Sequence, residues 1–222
     1  MTGEPLLVAL HGLLRRTYDL RAPLLPIGCY VIGDAGLRAI YPKGAQEVRS
    51  ESGAGARLLV RDTGAGVRAC IYYPDAMIRH LEDKPPQRRL DADNVDAFAV
   101  LVEELDHLLV TAERAHAGRG VSLLELEVQA NVSKDLVLSR FLVRGGRRLD
   151  RGRREWLRHH LFHARTYCDD DPEVRGRYEA AARVALRFLQ SLEHLPRARR
   201  VETLRRFHRA SLAGKTEISE GR

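Results

Sequence analysis

Carboxylate and imidazole side chains with the spacing of metal ligands occur in the second half of the chain. Glu104 and His107 are three residues apart, so on a helix they lie on one face. Glu127 adds a carboxylate from the next predicted helix, and His159 and His163 are four apart, which lets two imidazoles reach one point. Together these five residues predict a divalent metal site, and the chemistry it would support is metal-assisted hydrolysis.

Each of these residues also has a structural interpretation. With nine histidines in the chain, pairs at such spacings arise by chance. His107 would then be a hydrogen-bonded histidine between packed layers, and Lys134 would pair with Glu127 or Asn131. The histidines of the third long helix would belong to a cationic face in contact with solvent. Both interpretations stay open from the sequence.

Three histidines on two helices form an arrangement that resembles the damage-inducible four-helix metalloproteins. The resemblance rests on His107, His159 and His163 and covers only the helical half of the chain. The strand-rich first third does not belong to that family. The resemblance therefore implies no function for this chain.

The elements that would position these residues begin with a pair of helices over residues 94–143. Apolar residues at spacings of three and four, including Leu105 and Leu109, predict a core stripe on the first helix. Asp93 or Asn94 can cap it, and Ser122 with Glu125 makes a capping box for the second helix. Both helices are apolar on more than one face, which indicates burial, so the polar groups that they carry must be satisfied or used.

The remaining helices are predicted from the same periodicity and from their end signals. A third helix covers about Arg151–Tyr167, and Asp171-Pro172 opens a fourth, which Pro196 ends. A fifth spans about Ala198–Leu212. The last residues, AGKTEISEGR, are predicted to fray.

The first third of the chain is predicted to hold a short helix and a layer of strands. The helix covers residues 5–17, and the candidate strands, bounded by turn residues, are Gly28–Gly33, Leu37–Tyr41, Gln46–Glu51, Ala56–Arg61 and Val67–Tyr73. The last two form the best hairpin. Its loop contains Asp62-Thr63-Gly64, which resembles the signature of retroviral-type aspartic proteases but is also ordinary turn chemistry.

Positive charge is concentrated towards the C-terminus. The net charge is +7, and residues 147–209 contain 17 arginines against nine aspartates and glutamates. This excess predicts a surface for nucleic acid or an acidic protein. The arginines proposed for it are Arg147, Arg148, Arg151, Arg153, Arg154, Arg199, Arg200, Arg205 and Arg206. The alternative is a coding bias, because the chain has 33 arginines and only 4 lysines.

Composition limits the class of protein. No apolar run approaches the roughly 18 residues of a membrane span, and the order of charge and apolar residues at the start is not that of a secretory signal. Three distant cysteines without a CxxC motif favour a reducing compartment, so we expect a cytoplasmic protein.

These observations predict an α+β fold, with a small N-terminal antiparallel β layer followed by a bundle of about five α-helices. The predicted segments are 1–92, 93–213 and a flexible tail, 214–222. The leading hypothesis is a non-catalytic binding or accessory protein without a cofactor, whose basic helices contact nucleic acid or an acidic protein. The alternatives are a metal-dependent enzyme, with a divalent metal as cofactor, and a structural subunit that forms a homo-oligomer through its apolar helix faces.

Overall fold

A computed structural model of the protein describes residues 4–41, 55–64, 66–143, 149–163 and 171–221. The fold is α+β, as predicted, with a small sheet and a larger helical part. In chain order the elements are α1 (Leu6–Tyr18), a 3₁₀ turn (Ile27–Tyr30), β1 (Val31–Ile32), α2 (Asp34–Ile40), β2 (Arg57–Asp62), β3 (Val67–Tyr72), α3 (Asp75–Asp83), α4 (Val95–His116), α5 (Leu123–Leu142), α6 (Arg151–Arg158), a π-helical turn (His159–His163), α7 (Pro172–Glu193), α8 (Arg197–Arg209) and α9 (Leu212–Ser219).

Helices α4 and α5 form the centre of the molecule. Every residue from Leu101 to Val110 and from Glu125 to Lys134 is buried, which confirms that both helices are enclosed on all sides in these stretches. The sheet and α1 contact α4, and α7 packs along α5. Gly118, with φ of 64°, makes the turn between α4 and α5 in the left-handed conformation that glycine tolerates best. One cluster of buried apolar side chains extends from Leu10 to Phe207 and includes Leu105 and Leu109.

The sheet has three strands in the order β1-β3-β2 among the described residues. The β2–β3 hairpin forms as predicted, with Arg57 opposite Tyr72 and Asp62 opposite Val67. At its tip Gly64 donates its backbone N–H to the Asp62 carboxylate, 2.8 Å away, so the Asp-Thr-Gly sequence serves as a turn.

One strand prediction is wrong, one is correct only in part, and one lies outside the described residues. Residues 37–40 belong to helix α2, because Gly33 and Asp34 start a helix there, and only Val31–Ile32 of the predicted first strand pair. This strand joins β3 in parallel, so the layer is mixed and not purely antiparallel. The predicted strand Gln46–Glu51 falls on residues that the structure does not describe.

The helix ends agree in part with their sequence signals. Ser122 caps α5 by accepting the backbone N–H of Glu125, and Asp171 caps α7 by accepting that of Glu173. The third helix departs from the prediction, because its α-helical part ends at Arg158 and a π-helical turn follows directly. Its predicted end at Tyr167 lies outside the described residues.

The prediction of a frayed, flexible tail is wrong. Ser211 caps helix α9, and Lys215 in this helix is fully buried, with its ammonium 2.6 Å from the Gln129 side-chain oxygen. A buried lysine needs such a partner, which only the folded chain supplies. Within the described part of the chain, no helix is both long and apolar enough to cross a membrane.

Candidate metal centre

Three acidic side chains and one histidine meet between α4 and α5. Glu103 and Glu104 lie on α4 one turn before His107, and Glu127 faces them from α5. All four residues are less than a tenth exposed to solvent. Carboxylates are rarely buried to this degree unless they are paired or bind a cation, so this group requires a specific explanation.

The imidazole of His107 lies between two carboxylates. Its Nδ1 is 3.5 Å from Glu104 Oε2, and its Nε2 is 3.9 Å from Glu127 Oε1. Nε2 has no hydrogen-bond partner in the part of the chain that the structure describes. A carboxylate on one ring nitrogen, with the other nitrogen unused, is the arrangement that metal-binding histidines adopt.

Glu103 contributes the third potential ligand. Ligand atoms of Glu103, His107 and Glu127 all lie within 4.8 Å of one another. Ligands placed about 2.1 Å from an ion in a tetrahedral arrangement would be about 3.4 Å apart, so small side-chain rotations would close this group around a metal. The buried group can therefore hold a metal ion.

A buried cation already faces the group. Lys134 Nζ lies 2.6 Å from Glu103 Oε2, and the lysine is 2% exposed. The sequence predicted that Lys134 pairs with Glu127 or Asn131. The ion pair that the structure shows is the one with Glu103, and it joins α5 to α4.

The charges of the group are strongly coupled. Burial lowers the pKa of His107, but the neighbouring Glu104, Glu127 and Glu103 more than offset this and raise it to about 10. Burial also raises the pKa of Glu127. Without a metal, the imidazole is thus a cation among acidic side chains, and the raised pKa of Glu127 favours a proton on that carboxyl group.

Helix α7 covers the group from a third side. Burial raises the pKa of the Tyr178 hydroxyl, and the charges of Glu127 and Glu103 raise it further. Tyr178 is half-buried on α7, which packs along α5. The hydroxyl keeps its proton and is a hydrogen-bond donor that faces negative charge.

The five residues predicted to bind one metal separate into two sets. Glu104, His107 and Glu127 come together, whereas His159 and His163 are exposed and are not members of the buried group. They lie on the π-helical turn, where His159 packs edge-on against His160. Glu103 is the potential ligand that the Glu-x-x-His spacing did not indicate, although it is adjacent to Glu104. Its signal was the spacing of four residues from His107, which places both side chains on one face of a helix.

A second polar network lies elsewhere along α4 and α5. Ser133 donates to Asp106 Oδ1 at 2.5 Å and shares a hydrogen bond of 2.8 Å with the Tyr18 hydroxyl. Burial raises the pKa of Asp106 to about 6, while the hydrogen bond from Ser133 opposes this increase. Further along the helices, Arg114 pairs with Glu125 and donates to backbone carbonyls at the end of α8. These contacts link α4 and α5 to α1 and to the end of α8, so we interpret the network as structural.

The arginines proposed for a polyanion surface mostly contact groups of the protein itself. Arg151 pairs with Glu155 at 2.6 Å, and Arg154 pairs with Glu193 at 3.4 Å. Three others form the contacts Arg153–Asp150, Arg199–Glu202 and Arg205 with the Thr17 carbonyl. Arg200 donates to backbone carbonyls, Arg206 is exposed, and Arg147 and Arg148 lie outside the described residues.

Comparison with known proteins identifies no relative. No family model matches the sequence, and neither the curated proteins nor the solved structures give a match. The function therefore has to be argued from the geometry of the site itself.

Proposed function

We propose that this protein binds a divalent transition-metal ion between α4 and α5, with Glu103, His107 and Glu127 as ligands. The observation that carries the proposal is the convergence of their ligand atoms within 4.8 Å in a buried position. Two carboxylates and an imidazole suit zinc, manganese or ferrous iron better than calcium, which prefers oxygen ligands alone.

Each neighbouring residue has a distinct role in this proposal. Glu104 orients His107 through Nδ1, so that Nε2 is left for the ion. Lys134 offsets part of the charge on Glu103. A divalent ion would replace the imidazole proton and supply positive charge to the acidic side chains that surround it.

The reaction that such a site would support is metal-assisted hydrolysis. Three protein ligands leave a coordination position for water, and the ion would lower the pKa of that water. This finer proposal needs an activity to support it, and the metal site can be tested without one. A basic surface for nucleic acid or an acidic protein remains a separate prediction, since the local partners of its arginines weaken its support.

Metal content tests the site directly. Protein prepared without a histidine tag should retain close to one divalent ion per chain after gel filtration, measured by elemental analysis. Metal-free protein loaded with Co²⁺ should show absorption bands of a low-symmetry coordination site. Glu127→Gln, which keeps the shape of the side chain, should abolish this spectrum. Glu179→Gln is the matched control, because Glu179 is an exposed residue of α7 outside the group.

The role of Glu104 separates a ligand from a positioning residue. Glu104→Gln should weaken metal binding by about 10- to 100-fold while it preserves the spectrum of the bound ion. The proposal is contradicted if the folded, unmodified protein takes up neither Zn²⁺, Mn²⁺, Fe²⁺ nor Co²⁺. It is equally contradicted if Glu127→Gln binds metal as well as the unmodified protein does.

A further inference from the structure

A cleft of about 940 Å³ opens between the loop that precedes α4, the end of α5 and the start of α6. Its lining combines three cationic residues, Arg88, Arg89 and Arg153, with the apolar residues Leu90, Phe141 and Trp156. It shares no lining residue with the proposed metal centre. Its volume is within the range of small-molecule sites, which combine apolar walls with a few polar groups.

The arginines of the lining differ in their partners. Among the described residues of the lining, Asp91 is the carboxylate, and it pairs with Arg89 at 3.1 Å. Arg153 pairs with the Asp150 carboxylate at 3.7 Å. The guanidinium of Arg88 makes no ion pair or hydrogen bond with any residue in the described part of the chain. Positive charge is therefore available to an anion, and guanidinium groups suit phosphate.

The loop that carries these arginines is held in place. The Asn94 side chain, which is 2% exposed, donates to the backbone carbonyls of Lys84 and Arg89 at 3.0 and 2.8 Å. Its oxygen accepts the backbone N–H of Asp91 at 3.1 Å. A buried residue that fixes three points of a loop reduces the entropy that binding would otherwise lose.

The apolar part of the lining includes two aromatic side chains, Phe141 and Trp156. Trp156 is half-buried and packs against His160, with ring centroids 4.6 Å apart. Phe141 packs against Phe98 in the core at 4.7 Å, so this wall is rigid. Nucleobases stack on aromatic side chains, and an inorganic phosphate would leave this wall empty.

We propose that this cleft binds a free mononucleotide. The phosphate lies against Arg88 and Arg153, and the base lies against the wall that contains Trp156. Asn94 is a positioning residue, since it acts through the loop and not on the ligand. The proposal is independent of metal at the buried group.

Fluorescence of the protein offers a direct assay, because Trp156 is the single tryptophan of the chain. Adenosine monophosphate, added to the full chain in EDTA, should change this fluorescence saturably. EDTA keeps metal chelation from contributing. Adenosine and inorganic phosphate, tested separately, should each bind at least about tenfold more weakly, because adenosine lacks the charge for the arginines and phosphate lacks a ring to stack.

Variants identify the site. Arg88→Ala and Arg153→Ala should each weaken binding of the nucleotide by about tenfold, as expected for loss of a charged hydrogen bond. Arg183→Ala is the control, because Arg183 is exposed on α7, pairs with Glu179 and does not line the cleft. Among the described residues the Arg88 side chain has no partner to lose, so its variant should fold normally, as circular dichroism can verify.

Two outcomes would overturn the proposal. One is the absence of a saturable response up to about 10 mM nucleotide, a concentration that detects even weak sites. The other is binding that Arg88→Ala and Arg183→Ala reduce equally, which would indicate general attraction to a basic protein. A saturable response that is lost in Arg88→Ala and retained in Arg183→Ala supports the cleft.

Discussion

His107 Nε2 lies 3.9 Å from Glu127 Oε1 across the interface between α4 and α5. This nitrogen has no hydrogen-bond partner among the described residues, and the His107 side chain is buried, with only 9% of its surface exposed. A buried polar atom without a partner is costly, and proteins keep such atoms mainly where a ligand, a water molecule or a proton uses them. This relationship supports a metal ion more directly than the presence of acidic residues does.

Replacing Lys134 should change stability and metal affinity in opposite directions. Lys134→Met removes the buried partner of Glu103, so the metal-free protein should lose about 3–5 kcal/mol of unfolding free energy. The same change makes the group more negative, so the variant should bind Zn²⁺ more tightly. Urea unfolding in EDTA and competition with a zinc indicator measure the two effects. Unchanged or weaker zinc binding would show that Lys134 does not compete with the ion.

Leu105 should be one of the most sensitive core positions. It has no exposed surface and lies in the single apolar cluster that α4 shares with the surrounding elements. Leu105→Ala should lower the free energy of unfolding by about 2–5 kcal/mol through lost contacts and the cavity that remains. Leu123→Ala, at an exposed position of α5, is the matched control and should have little effect. Equal effects of the two changes in urea would contradict the packing described above.

Asp106 should make the metal-free protein less stable as pH rises between about 4 and 6. Its pKa is about 6 in the folded protein, above the ordinary 3.8, mainly because the carboxyl group is buried. In this range the folded state binds more protons than the unfolded state, so its stability falls with rising pH. Below about pH 4 the advantage is complete, and above about pH 6 it is lost.

Asp106→Asn tests this dependence. The amide keeps an oxygen for the hydrogen bond from Ser133, and it carries no charge. The variant should be more stable than the unmodified protein by about 1–3 kcal/mol at pH 8 and nearly equal to it at pH 4. The difference in urea midpoints across this range measures the effect. A constant difference at all pH values would mean that Asp106 does not change its protonation.

The basic C-terminal surface can be tested through its salt dependence. If Arg199, Arg206 and their neighbours contact phosphates, the logarithm of the DNA-binding constant should fall with that of the salt concentration, by a slope near −0.9 per phosphate. We expect no sequence preference, because no recognition or stacking motif accompanies the charge. A fluorescence titration with a labelled duplex at about 50 mM salt measures this. No binding at micromolar protein would leave the arginines with structural roles only.

The sequence by itself determined the elements that depend on local patterns. Spacings of three and four predicted α4 and its buried Leu105, and Ser122 predicted the start of α5, because helical periodicity and capping involve residues within one or two turns. The same periodicity indicated that polar residues such as His107 lie on a buried helix. The prediction that Glu104, His107 and Glu127 approach one another followed from this and agrees with the structure.

Only the tertiary structure decided which polar groups meet. Lys134 pairs with Glu103 on the neighbouring helix, and His159 lies apart from His107 on an exposed turn. Lys215 is buried because α9, the helix that contains it, packs where the lysine meets Gln129, a residue far away in sequence. These partners depend on how each helix is rotated and placed against its neighbours, and many distant apolar contacts set that placement together. A local pattern contains the periodicity of a helix but not its rotation against a partner.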